Sequence, residues 1–93
     1  MKWFKRIDLE QELIAMAREC DATKDALASL RDFSLFFIYH KNDFAAVMKK
    51  LEEGIIYLEI IAPMDNHDGS IYKSTSAFMV HPDGEILKTT LMC

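Results

Sequence analysis

Residues 42–62 of the chain read NDFAAVMKKLEEGIIYLEIIA, and this stretch decides how the rest of the fold is arranged. Asn42 and Asp43 are favourable first residues for a helix, because a short side-chain oxygen accepts a hydrogen bond from the free amides of the first turn. Apolar residues then recur at positions 44, 47, 48 and 51, with charged residues opposite them. Gly54 stands where a left-handed residue ends a helix. The pattern predicts a helix between Asn42 and Gly54.

A strand is predicted directly after Gly54. Residues 55–62 (IIYLEIIA) are rich in β-branched side chains and too few for a typical helix. The even positions are all apolar, and the odd positions are nearly so, with Glu59 as the exception. Because successive side chains of a strand point to opposite faces, one face is expected to belong to the core and the other to be partly covered.

The size and composition of the chain set limits on what it does. A chain of 93 residues has room for one domain, residues 1–93. It is 51% hydrophobic, with six Phe and six Met, which favours self-association or a protein partner. The net charge is −4; residues 54–93 hold two Lys/Arg against five Asp/Glu. An acidic domain is unsuited to nucleic acid, which requires clustered positive charge.

Helices are expected before residue 42. Residues 1–6 (MKWFKR) are interpreted as a helix lead-in whose two aromatic rings pack on the core. Apolar residues at positions 9, 13, 16, 17 and 20 then form a helical stripe, and Asp21 and Thr23 offer a start for a second helix. The second helix is expected to continue through FSLFFIY, residues 33–39, because no Gly, Pro or Asn interrupts it. The alternative is that residues 33–40 form a fourth strand.

Two further strands are predicted after the loop at residues 63–69. Residues 70–80 and 85–92 are joined by His81-Pro82-Asp83-Gly84, in which Pro and Asp suit the central positions of a turn and Gly closes it. The predicted fold class is α+β, with two or three N-terminal helices packed on one face of a C-terminal three-stranded antiparallel meander. In topology alone, residues 30–62 resemble the cone-shaped fold of nuclear-transport-factor-like and polyketide-cyclase-like proteins, which implies a ligand pocket.

The sequence contains no spacing typical of a catalytic or metal site. The loop Asp65-Asn66-His67-Asp68-Gly69 is the one local cluster of ligand-type side chains, and it fits neither the calcium-loop nor the helical zinc pattern. No metal and no cofactor are therefore expected. A pocket between helices and sheet, small-ligand-binding or enzymatic, is the alternative function, and its candidate residues are His40, Tyr57 and Glu59.

The favoured function is a small acidic protein-interaction module of the inhibitor, immunity or adaptor type, which covers a surface of a larger and basic partner. It is not expected to be an enzyme. The candidate partner-binding residues lie in two loops: Asp65, His67, Asp68, His81, Asp83 and Glu85. A homodimer through Leu35, Phe36 and Tyr39 is a further candidate. The lack of a signal-peptide pattern and of a long apolar run predicts a cytoplasmic protein that binds no membrane.

Overall fold

The computed structural model describes residues 2–35, 43–65 and 68–89, which form an α+β fold of two α-helices and one five-stranded antiparallel sheet. The elements in chain order are β1 (Lys2–Phe4), α1 (Leu9–Glu19), α2 (Lys24–Ser34), β2 (Phe44–Lys50), β3 (Ile56–Asp65), β4 (Ile71–Val80) and β5 (Ile86–Thr89). The strands lie side by side in sequence order, β1-β2-β3-β4-β5, and every neighbouring pair is antiparallel.

The helical hairpin α1–α2 covers one face of the sheet. The predicted stripe of α1 is confirmed, since Leu9, Leu13 and Ala17 are fully buried. Asp21 ends α1 rather than starting α2: its φ is +58°, and Ala22 N–H bonds the carbonyl of Ala17 at 3.0 Å. This is the hydrogen-bonding pattern of a left-handed helix cap, here built on an aspartate in place of the usual glycine.

Thr23 starts α2 and also fixes it to the sheet. Its Oγ1 accepts a hydrogen bond from Ala26 N–H at 3.1 Å, which confirms the predicted N-cap. The same hydroxyl donates to the carbonyl of Pro82 in the turn between β4 and β5. The side chain of Thr23 therefore links the start of α2 to the turn that follows β4.

The predicted helix after Asn42 is wrong, because residues 44–50 form strand β2. Phe44 and Ala46 lie in the core and Val47 and Lys49 on the other side, which is the alternation of a strand. The segment pairs with β1 on one side and with β3 on the other. Pairing on both edges satisfies its backbone groups, which outweighs the local helix preference of residues such as Ala.

The interpretation of residues 1–6 as a helix lead-in is also wrong, since Lys2–Phe4 form the edge strand β1. Phe4 is buried in the core, as expected, but Trp3 points to the opposite face and is 45% exposed. The sheet consequently has five strands instead of three. The short helix required for the cone-shaped topology is absent from residues 44–50, so that resemblance does not hold there.

The position at which α2 ends distinguishes between helix and strand for the first of residues 33–40. Phe33 and Ser34 belong to the helix, and the Ser34 hydroxyl donates to the carbonyl of Arg31 at 2.7 Å. The helical prediction is confirmed to that point. Residues 36–40 lie outside the part of the chain that the structure describes.

The core lies between the hairpin and the helix-facing side of the sheet. The even positions of β3 are buried as predicted: Ile56, Leu58, Ile60 and Ala62 are each at most 7% exposed. Phe33 of α2 meets Phe78 of β4 edge to face, with ring centroids 4.7 Å apart. These contacts fix which face of the sheet is covered and, because side chains alternate, which residues form the other face.

The turn between β4 and β5 has the predicted geometry and packs against α2. Gly84 N–H donates to the carbonyl of His81 at 2.9 Å, and Gly84 has a φ of +94°. A Cβ atom at Gly84 would lie 2.6 Å from the Ser29 hydroxyl and 2.9 Å from the carbonyl oxygen of Asp25. Glycine is required here by its conformation and by the close approach of the helix.

Candidate functional site

The sheet face that points away from the helices is the main candidate site, and we call it the open face. No helix or strand in the described ranges lies over it. Its residues are those that alternate with the core positions of each strand. They are Trp3, Ala45, Val47, Lys49, Tyr57, Glu59, Ile61, Pro63, Lys73, Thr75, Ala77, Met79, Leu87 and Thr89.

The strand register sorts the open face into rows that cross the sheet. One row contains Trp3, Ala45, Ile61 and Thr75; the next contains Val47, Glu59, Ala77 and Thr89; the third contains Lys49, Tyr57, Met79 and Leu87. The central positions are small or tightly packed. The larger side chains stand around them, and Leu87 at the edge strand remains 47% exposed.

Trp3 and Lys73 meet across the open face. They belong to β1 and β4, which are separated by two strands, yet the Lys73 ammonium lies 5.8 Å from the centroid of the Trp3 ring. Both side chains therefore extend over the small residues between them. Ala45 is fully buried and Ile61 nearly so on this face, over which no described helix lies.

A hydrogen-bonded pair of polar groups occupies the middle of the open face. Tyr57 donates its phenolic hydrogen to Glu59 Oε2 at 3.2 Å, and both residues are half-buried. Partial burial raises the pKa of Tyr57 above its usual value, and the negative charge of Glu59 and the hydrogen bond to it add to this effect. Glu59 is thus an oriented anion surrounded by Val47, Ile61 and Ala77.

A second concave region lies on the helix side, between α2 and the edge strand β5. It is an open groove of about 350 Å³. Apolar side chains form its base and polar ones its rim: Ser29, Asp32, Phe33, Phe78, Gly84, Ile86 and Lys88. The groove has room for a few side chains of another molecule.

The predicted partner-binding residues do not form one surface. Asp65 and Asp68 flank the turn before β4, whereas His81, Asp83 and Glu85 belong to the turn after it. At roughly 3.3 Å per residue, the ten residues of β4 separate the two turns by about 30 Å. His67 and the side chain of Asp65 lie outside the described residues.

Each of the two turns is organised by an aspartate. Asp68 Oδ1 accepts hydrogen bonds from the Ser70 hydroxyl at 2.6 Å and from Ser70 N–H at 2.9 Å. These bonds hold the pKa of Asp68 below its usual value. Asp83 Oδ1 accepts from Glu85 N–H at 2.9 Å. Both carboxylates already have a structural role in their turns, although they remain exposed to solvent.

The structure brings together two of the three predicted pocket residues. Tyr57 and Glu59 are hydrogen-bonded, but they lie on the open face and not between the helices and the sheet. His40 lies outside the described residues, as do Phe36 and Tyr39 of the predicted dimer contact. Leu35, the remaining member of that contact, is 51% exposed at the end of α2.

The sequence pattern indicates neither Met79 and Leu87 as surface groups nor the α2–β5 groove, and the prediction that the Trp3 ring packs on the core is wrong. A signal for the open face was present, since the odd positions of residues 55–61 are nearly all apolar. An apolar pattern on both sides of a strand predicts that both faces are covered. The helical interpretation of residues 44–50 concealed the neighbouring strand that continues this face.

Comparisons of the chain with models of protein families, with curated proteins and with solved structures find no match. Within the described ranges, no three His, Cys, Asp or Glu side chains lie close enough together to hold a metal ion. None of the described helices has the length and apolar character needed to cross a membrane.

Proposed function

We propose that the protein is a small interaction module of the inhibitor, immunity or adaptor type, which binds a larger protein through the open face of its sheet. The observation that supports this proposal is the half-exposed state of large apolar side chains on that face. Trp3 and Leu87 stand at its two edges, and Tyr57 and Met79 lie between them. Aromatic residues and Met are the types enriched at the centres of protein interfaces.

The packing of the open face suits a binding surface. Its small residues Ala45 and Ala77 are already excluded from water, so the backbone beneath them is shielded before any partner arrives. Trp3 is restrained by its contact with the Lys73 ammonium and Tyr57 by its hydrogen bond to Glu59, so these two side chains have less conformational freedom to lose. A preorganised surface binds more tightly than a mobile one of equal area, because less ordering accompanies association.

Within the open face, Glu59 is the group that favours a cation on the partner, although Lys49 and Lys73 lie on the same face. Glu59 is fixed by Tyr57 at the middle of an apolar surround, where an opposing Lys or Arg would form a desolvated ion pair. The whole chain is acidic, with a net charge of −4, which would accelerate encounter with a basic protein. The proposed partner surface is therefore apolar with one central cation.

The experiment compares two apolar-to-charged substitutions of matched type. Leu87→Glu places a charge on the open face, whereas Ile7→Glu places one at a residue that is 82% exposed in the turn before α1. Proteins captured by the purified chain from a lysate of the cells that make it are quantified for wild type and both variants. The captured protein is then purified and titrated directly.

The expected result is at least tenfold weaker binding of the purified partner by Leu87→Glu and unchanged binding by Ile7→Glu. Glu59→Gln is expected to weaken binding as well, and more at low salt than at high salt. Equal binding by wild type and Leu87→Glu would contradict the proposal. Sedimentation that shows a homodimer abolished by Leu87→Glu would assign the open face to self-association instead and overturn the larger partner.

A further inference from the structure

We propose that the groove between α2 and β5 binds an extended peptide segment of another protein, which adds to the sheet as a sixth strand beside β5. This site uses the outer edge of β5 and the helix side of the sheet, and it meets the open face only beside Leu87. The inference goes beyond the proposed function, because it assigns a second surface with a different mode of recognition.

The hydrogen-bonding pattern of β5 supplies the first reason. His81 N–H donates to the carbonyl of Glu85 at 2.8 Å, so these two residues form a hydrogen-bonded pair where β4 and β5 meet. Hydrogen-bonded and non-hydrogen-bonded pairs alternate along an antiparallel ladder. From the register, Leu87 opposite Met79 is the next hydrogen-bonded residue of β5.

It follows that Ile86 and Lys88 are the non-hydrogen-bonded residues of β5 toward β4. They stand opposite Val80 and Phe78, and their N–H and C=O groups point away from β4. β5 is an edge strand of the sheet, and no other described strand pairs with it. The two N–H groups and two C=O groups of these residues are thus aligned along the outer edge of β5, in the spacing that an added strand requires.

The side chains of the same two residues supply the second reason. Ile86 and Lys88 line the α2–β5 groove together with Phe33 and Phe78. In a strand paired with them, the residues directly opposite have their side chains on the same face of the sheet. The backbone register that satisfies β5 therefore also directs alternate peptide side chains into the groove, where the two aromatic rings offer an apolar contact.

The charges around the groove select the kind of peptide. Asp32 lies on the helix wall of the groove, and Lys88 on the strand wall is the one cation among the lining residues. Neither Asp32 nor Lys88 forms a side-chain ion pair with another described residue. The matching segment has an apolar residue at the groove, flanked at an alternate position by a Lys or Arg that faces Asp32.

The experiment uses a phage-displayed library of random heptapeptides, selected on the full-length protein. The decisive variant is Lys88→Pro. Proline removes the outward N–H of residue 88, and it leaves the bonds to β4 intact because that N–H does not take part in them. Lys88→Ala is the matched control, since it deletes the same side chain and keeps the N–H.

The expected result is a set of selected peptides that share an apolar residue flanked at an alternate position by a Lys or Arg. Synthetic copies are expected to bind Lys88→Pro about tenfold more weakly than Lys88→Ala, and Asp32→Asn about threefold more weakly than wild type. Nuclear magnetic resonance titration should move the amide signals of Ile86 and Lys88 most. Unchanged β4 signals in Lys88→Pro confirm that the variant is folded.

Three outcomes would overturn the inference. Selection that enriches no sequence would show that the edge accepts no peptide. Peptides that bind Lys88→Pro and Lys88→Ala equally would show that the outward N–H is unused. Peptides that perturb Trp3 at the far edge of the sheet rather than β5, or that are fully displaced by a small aromatic compound such as indole, would assign the groove to another class of ligand.

Discussion

The two faces of the sheet differ in how their apolar side chains are covered. On the helix side, Leu58, Ile60 and Phe78 are covered by two helices, and the turn at Gly84 locks α2 in place. On the open face, Ala45, Ile61 and Ala77 are also buried, although no described helix lies over them. The helices therefore stabilise the sheet through one of its two apolar faces. The other face remains available for contact with other molecules.

The largest expected effect compares one buried residue from each face. Leu58→Ala is expected to lower the free energy of unfolding by about 3–4 kcal/mol, because it removes a fully buried side chain under the helices. Met79→Ala on the open face is expected to cost about 1 kcal/mol, since Met79 is only half-buried. Urea unfolding followed by circular dichroism measures both. Equal losses would contradict the division into a covered and an open face.

The next effect concerns the contact that holds α2 over the sheet. Gly84→Ala is expected to destabilise by about 2–3 kcal/mol, because a Cβ would collide with the Ser29 hydroxyl at a left-handed φ. Gly69→Ala is the matched control: its φ is also positive, at +88°, but no atom lies within 4 Å of the added Cβ. The control is expected to cost about 1 kcal/mol. A similar loss of stability for both variants would mean that the positive φ, and not the contact with α2, determines the cost.

Thr23 tests the same contact from the helix. Thr23→Ala removes both the N-cap bond to Ala26 and the bond to the carbonyl of Pro82, and about 1–2 kcal/mol of stability should be lost. Thr23→Ser keeps the hydroxyl and should stay within about 0.5 kcal/mol of wild type. Thermal unfolding distinguishes the two, and a serine variant as unstable as the alanine variant would rule out the hydrogen bonds as the cause.

On the open face, the Tyr57–Glu59 pair gives an effect on titration rather than on stability. Burial, the charge of Glu59 and the hydrogen bond to it raise the pKa of Tyr57. Glu59→Gln removes the charge, so the pKa of Tyr57 should fall toward the usual tyrosine value. Absorbance of the phenolate during an alkaline titration measures the change, with Tyr57→Phe used to assign the signal. An unchanged titration would mean that burial alone sets this pKa.

The smallest effect is expected from the exposed ion pair of Asp21 and Lys50, 2.9 Å apart, which links the helical hairpin to β2. The pair lowers the pKa of Asp21 from 3.8, so its contribution is present above that pH and is lost as pH falls through the lowered value. It raises the pKa of Lys50 from 10.5, so that contribution is lost as pH rises through the raised value.

The ion pair is tested by comparing the melting temperatures of wild type and Asp21→Asn at several pH values. A small difference should appear between the two pKa values and disappear in acid, where the carboxylate of wild type is protonated. Added salt should reduce it. Asp43→Asn, at an exposed aspartate before β2, is the matched control. A difference that persists in acid would assign the effect to the left-handed backbone of residue 21 instead.

The sequence was informative wherever local chemistry determines structure. Thr23 as N-cap, the Pro82–Gly84 turn and the buried even positions of β3 were predicted correctly, because each depends on residues close together in the chain. The strands β1 and β2 could not be predicted in this way. Residues 44–50 satisfy a helical and an alternating pattern at once, and the choice is made by backbone pairing with β3 and with β1, which is about 40 residues away in sequence.

The candidate site was harder to predict than the fold. A sheet face is open when no other element covers it. Which face remains uncovered depends on where both helices pack. Composition indicates the acidic loops as a binding surface. A meander, however, places successive turns at opposite ends of the sheet, so the two loops lie apart. Tyr57 and Glu59 are predicted pocket residues. Because Leu58 between them lies in the core, both point to the opposite, open face.

The pairing of β1 has a consequence for how the molecule opens. Lys2 lies beside Ala46, so this contact closes a loop of more than 40 residues, whereas β3, β4 and β5 join through short turns. Loop-closure entropy favours formation of β1 last in folding and its release first in the native state. Amide hydrogen exchange should therefore be fastest at this ladder. A ligand seated on Trp3 would slow it, and the N-terminal strand would act as a reporter of occupancy.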